Sequence, residues 1–149
     1  MISNDNSAPD STRMILVVED VRETRDGIEK LLQSDGYRVA LAEGERDAID
    51  SASRNYPDLI LVSLGGPTEE VVRKARRIRE YAATGDQIPV VVFCIEDLAE
   101  GEEVAIDPRI YVTSPDNFNQ LRRLLARLLN ESSSSKDLKS TTIVTELNQ

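Results

Sequence analysis

Two adjacent carboxylates, Glu19 and Asp20, follow the apolar run Ile15-Leu16-Val17-Val18. Three small polar residues hold comparable places later: Ser63 after Asp58-Leu59-Ile60-Leu61-Val62, Cys94 after Val90-Val91-Val92-Phe93, and Ser114 after Ile110-Tyr111-Val112-Thr113. A carboxylate pair offers the oxygen ligands that a hard divalent cation takes. A serine hydroxyl is a weak nucleophile without an adjacent base, a part that Asp20 alone could supply to Ser63. Cys94 would be redox-sensitive only if a nearby cation lowered its thiol pKa; its charged neighbours are acids, so it reads as a small buried residue at a strand end. Glu19 and Asp20 read equally as a weak cation site and as a solvated, mutually repelling pair at the end of a strand.

Composition removes whole classes of chemistry. The 149 residues contain no histidine and one cysteine, which excludes a Ser-His triad, a phosphohistidine, a histidine zinc site and an internal disulfide. A formal charge of -9 argues against nonspecific nucleic-acid binding, which needs clustered Lys and Arg. No apolar run approaches the roughly 18 residues that cross a bilayer, and the opening dozen residues lack a signal-peptide core, so a cytoplasmic protein without a membrane partner is expected.

The elements that must position these residues alternate strictly. Residues 1–12 are polar and aperiodic and read as a disordered leader. Ile15 to Val18 reads as a strand buried on both faces, as in a parallel sheet. Ile28, Leu31 and Leu32 then recur at helical spacing up to Asp35-Gly36, where glycine can take the left-handed cap. Tyr37 to Ala42 predicts a second strand, Arg46 to Asn55 a second helix, and Asp58 to Val62 a third strand. Thr68 to Tyr81 predicts a helix with Val71, Val72, Ala75 and Ile78 inward and Arg73, Lys74, Arg76, Arg77 and Arg79 on a solvated face. Ile88 to Cys94 is a fourth strand, Asp97 to Asp107 at most a brief or frayed helix, and Ile110 to Thr113 a fifth strand. Phe118, Leu121, Leu124, Leu125, Leu128 and Leu129 mark a last amphipathic helix, broad enough in its apolar stripe to leave part for a homodimer or partner contact, with Asp116 as a plausible cap. Residues 131–149 form a Ser-rich tail expected to be flexible. Strand-helix alternation with right-handed crossovers gives an α/β, flavodoxin-like, doubly wound five-stranded parallel sheet of order 2-1-3-4-5 with helices on both faces. Its carboxyl edge would gather Glu19, Asp20, Ser63, Cys94 and Ser114.

Three stretches, Ile15-Leu16-Val17-Val18-Glu19-Asp20, Pro57 to Pro67 and Tyr111-Val112-Thr113-Ser114-Pro115, resemble the receiver domain of bacterial response regulators, and the resemblance spans about Met14 to Asn130. It implies a domain over 13–130. It also implies a Mg2+ site on the acid pair, a phosphate-accepting aspartate ending the third strand, a hydroxyl ending the fourth, an aromatic switch residue on the fifth and a lysine before proline. Here Ser63 stands at the acceptor position, Cys94 at the hydroxyl position, Tyr111 at the aromatic position and Ser114 at the lysine position. Losing an aspartate and a lysine together leaves the formal charge of the pocket unchanged, whereas a lysine kept without its carboxylate would be a partly buried unpaired charge. Gly65-Gly66-Pro67 replaces bulkier residues, and the resemblance implies a cis peptide at Ser114-Pro115.

The expectation is therefore a stand-alone pseudo-receiver: a signalling and interaction module without catalytic turnover that has lost aspartyl phosphorylation, binds at most weak Mg2+ through Glu19 and Asp20, and pairs with signalling proteins such as a histidine kinase. Two alternatives remain open, a phosphorelay receiver using Ser63 as acceptor and a small-ligand sensor in the altered pocket.

Overall fold

Every residue of β1, Met14–Glu19, is buried. Such a strand needs a neighbour on each edge and apolar cover on each face, which an uninterrupted Met-Ile-Leu-Val-Val run provides. In the computed structural model, which describes residues 12–82, 87–93, 101–107, 109–114 and 118–130, β2 (Arg38–Ala42) and β3 (Leu59–Ser63) flank β1 in parallel. Beyond β3 lie β4 (Val90–Phe93) and, by way of β4, the parallel strand β6 (Ile110–Thr113). These five strands hold the expected order.

A sixth strand corrects the expectation for Asp97 to Asp107. Residues 94–100 and 108 lie outside the described residues, but Glu103–Asp107 is not helical: it is β5, antiparallel to β6 at the sheet edge, for a full order β2-β1-β3-β4-β6-β5. The physical reason is a period of two: Val104 and Ile106 alternate with Glu103 and Ala105, and β-branched residues favour a pleated strand. Gly101, at φ 88, turns the chain into the pairing. Its N–H donates to Ser114 O at 2.6 Å, Ser114 N–H donates to Glu102 O at 3.1 Å, and the buried Thr113 hydroxyl donates to the same carbonyl at 3.0 Å.

Helices α1 (Arg22–Ser34), α2 (Glu45–Asn55) and α3 (Thr68–Glu80) cover the sheet. Leu16, Val18, Ile60, Val62, Val90 and Val92 form one core with Ala48 and Ala52 of α2 and Val71, Val72, Ala75 and Ile78 of α3. The alternate residues Ile15, Val17, Leu59, Leu61 and Val91 face the other way, the side of α1, whose Ile28 and Leu32 are buried. Gly36 ends α1 as expected, with φ 96 and its N–H donating to Gln33 O at 3.0 Å. The basic residues of α3 keep their outward face, Arg77 pairing with Glu45 of α2 at 3.1 Å.

The chain up to Asp116 forms one compact unit and Asn117 onward a second. In the second, residues 118–130 are helical (α4) as expected, with Leu121, Leu124, Leu125, Leu128 and Leu129 buried and Phe118 exposed. Burial of Leu124 and Leu128 leaves Phe118 as the large apolar residue that this helix presents to solvent. Residues 1–11 of the expected leader, the Ser-rich tail, Asp116 and Pro115 lie outside the described residues. No described helix is long and apolar enough to cross a membrane.

Candidate functional site

The register of the two central strands places the site. Glu19 and Ser63 are direct Cα partners at the carboxyl ends of β1 and β3, so parallel pairing brings residues 44 positions apart side by side. That register is set at the other end of the strands, where Asp58 N–H donates to Met14 O at 2.7 Å and Met14 N–H donates to Asp58 Oδ2 at 2.8 Å. Arg13 adds an ion pair to Asp58 at 3.8 Å.

A cleft of about 330 Å³ opens at this edge, lined by Glu19, Asp20 and Val21 from the end of β1, Ser63 to Gly66 from β3 and its loop, Thr68 and Val71 from α3, and Phe93 from β4. Glu19 is 4% exposed. Its Oε2 accepts from Val21 N–H at 3.0 Å, which bends the chain into α1, while its buried Oε1 has no hydrogen-bond partner among the described residues. Arg25, one turn into α1, donates through Nη1 to the carbonyl oxygen of Glu19 at 3.0 Å, leaving the carboxylate untouched. Asp20 is exposed and Ser63 half-buried.

Of the residues singled out from the sequence, Glu19, Asp20 and Ser63 therefore meet in one cleft. Ser114 does not line it: it is 4% exposed, and its backbone is committed to Gly101 and Glu102. Tyr111 is half-buried within β6, opposite Val91 on one side and Ala105 on the other, and does not line the cleft either. Cys94 lies outside the described residues. Leu64, Val71 and Phe93 line the cleft, and Arg25 anchors the Glu19 carbonyl beside it, without having been singled out as site residues; only the strand-end position of Phe93 beside Cys94 signalled it. Gly66 takes φ 116, the positive value that a two-glycine loop permits. Among the described residues no group of three or more His, Cys, Asp or Glu is placed to hold a metal ion.

The response regulator receiver domain family model matches residues 15–111. The chain belongs to the receiver domain family. Its receiver domain is 31% identical over 114 residues to the response regulator MprA of Mycolicibacterium vanbaalenii, 76% of this chain and 48% of that protein. MprA of Mycobacterium avium matches at 30% over the same length. The chain thus spans about half the length of these curated relatives. Among solved structures, the receiver domain of the sensor histidine kinase PA1611 from Pseudomonas aeruginosa, with a magnesium ion in its active-site cleft, is 25% identical with a TM-score of 0.61, covering 80% of this chain and 99% of that one. The chemotaxis protein CheY4 of Vibrio cholerae shares the fold at 20% identity and a TM-score of 0.62, covering 79% of this chain and 99% of its own. This is a receiver domain of two-component signalling on a flavodoxin-like α/β fold.

Proposed function

We propose that this receiver domain is a pseudo-receiver: a signalling module that binds partner proteins and has lost aspartyl phosphorylation. One observation carries the reading, the pairing of Ser63 with Glu19 at the carboxyl end of β3. The position that would carry an ionised, ready nucleophile carries a hydroxyl, and no histidine exists in the chain to activate it. The burial and backbone commitment of Ser114 support the same reading, because its place holds no cation to meet a phosphoryl group.

A Mg2+ ion fits what is left of the acid pair. Glu19, with a buried unpartnered oxygen, and exposed Asp20 would hold it, and the ion would supply charge neutralisation for an anion in the cleft. With a hydroxyl at Ser63, the set has one carboxylate fewer than the family's and binds more weakly.

Signalling would then run through contacts, with a histidine kinase or another regulator as the natural class of partner. Residues 103–107 form the edge strand β5 beside β6, so a partner at this side of the sheet would read that edge. The test is intact mass after incubation with Mg2+ and a small-molecule phosphodonor. The wild-type chain stays unmodified; a phosphoryl adduct stable to hydroxylamine would mean serine phosphorylation and overturn the reading.

A further inference from the structure

We propose that the cleft at the ends of β1 and β3 binds an organic ammonium ion: a primary amine carried on an apolar body. Three observations converge. The first is an acceptor without a donor: Glu19 is 4% exposed, and its buried Oε1 accepts no hydrogen bond from the described residues. A desolvated carboxylate oxygen in that position is satisfied by a ligand that brings its own N–H. Arg25 does not meet the need, since its guanidinium goes to the Glu19 carbonyl.

The second is charge. Asp20 stands exposed beside Glu19, and among the described residues no Lys or Arg lines the cleft, the Arg25 guanidinium being tied to the Glu19 carbonyl, so the electrostatic preference is for a cation. An ammonium with three donors can meet Glu19 and Asp20 together in charge-assisted hydrogen bonds. The third is the wall. Leu64, Val71 and Phe93 line the same cleft, whose 330 Å³ lies within the range of small-molecule sites. A bare hydrated metal ion gains nothing from those side chains, whereas an aliphatic or aromatic tail covers the half-buried Leu64 and Phe93, with Val71 already in the core behind them.

The proposal rests on the cleft being free of phosphoryl transfer. The two readings fail separately, because the titration below contains no phosphodonor. The amide spectrum of the full chain is followed by 1H–15N NMR during titration with hexylammonium chloride, with hexanol and with MgCl2 at constant ionic strength. Hexylammonium is expected to shift Ser63, Leu64 and Phe93 saturably, with an affinity that falls about tenfold or more in Asp20→Asn, the usual worth of a hydrogen bond to a charged group. The variant Asp26→Asn, an exposed acid on α1 away from the cleft, should bind as the wild type does. Equal binding of hexanol, saturable shifts with MgCl2 but none with hexylammonium, or equal weakening in both variants would each overturn the proposal.

Discussion

Glu19 works locally as well as in the acid pair. Its Oε2 and carbonyl oxygen together hold Val21 and Arg25, which starts α1 where Val21 offers no side-chain cap. Ser63 is held by strand register and Gly66 by backbone conformation, so substitutions separate the two. Gly66→Ala should destabilise the fold by about 1–3 kcal/mol, the usual cost of a non-glycine residue in a sparsely populated region, because its φ of 116 strains any side chain although an added Cβ would meet only Glu70 Oε1, at an ordinary 3.8 Å. Gly65→Ala, with no positive φ and open space, should leave the urea midpoint nearly unchanged. The meeting of Glu19, Asp20 and Ser63 was legible from strand ends alone. The separation of Ser114 and Tyr111 from the cleft was not, because it depends on backbone hydrogen bonds to Gly101 and Glu102 and on pairing with β5, which no local pattern encodes. Arg25 was hidden for a related reason: its partner is a main-chain carbonyl.

The strands are fixed by contacts at both ends. Asp58 closes the amino-terminal end of the β1–β3 pair, its Oδ2 accepting from the part-buried Met14 N–H at 2.8 Å. Asp58→Ala should cost about 1–3 kcal/mol in urea unfolding, the range for stranding a buried donor, and Asp58→Asn less, since the amide oxygen can still accept. At the other edge the Thr113 hydroxyl, 1% exposed, ties Glu102 to β6. Thr113→Val keeps the shape and removes the donor; it should cost about 0.5–1.5 kcal/mol and speed amide exchange in 103–107 selectively. Uniform loss of protection across the sheet would contradict that local role. Buried runs such as Leu59-Ile60-Leu61-Val62 and the 3.6-residue spacing of α1, α2 and α3 made five strands and their order readable. β5 was misread because its acidic residues resemble a helix surface, and the Val104, Ile106 alternation is only a few residues long.

Across the molecule, one titrating side chain, Tyr37, links the turn between α1 and β2 to stability. Burial, with Asp35 adding its negative charge, raises the Tyr37 phenol above its ordinary 10.0. The folded state therefore favours the neutral phenol. The stabilisation is fully present below pH 10 and is lost as pH rises through the raised folded value, where the unfolded chain ionises first. Tyr37→Phe should remove that part of the alkaline decline in urea midpoint; an identical decline would contradict it. At the same scale the register of β1 and β3 is held at its amino-terminal end by the Asp58–Met14 hydrogen bonds and along its length by apolar packing. The decisive measurement is intact mass of the wild type and of Ser63→Asp after incubation with Mg2+ and a small-molecule phosphodonor. The wild type should remain unmodified, with any adduct confined to the variant, whereas a phosphoryl adduct on the wild-type chain would contradict the loss of phosphorylation.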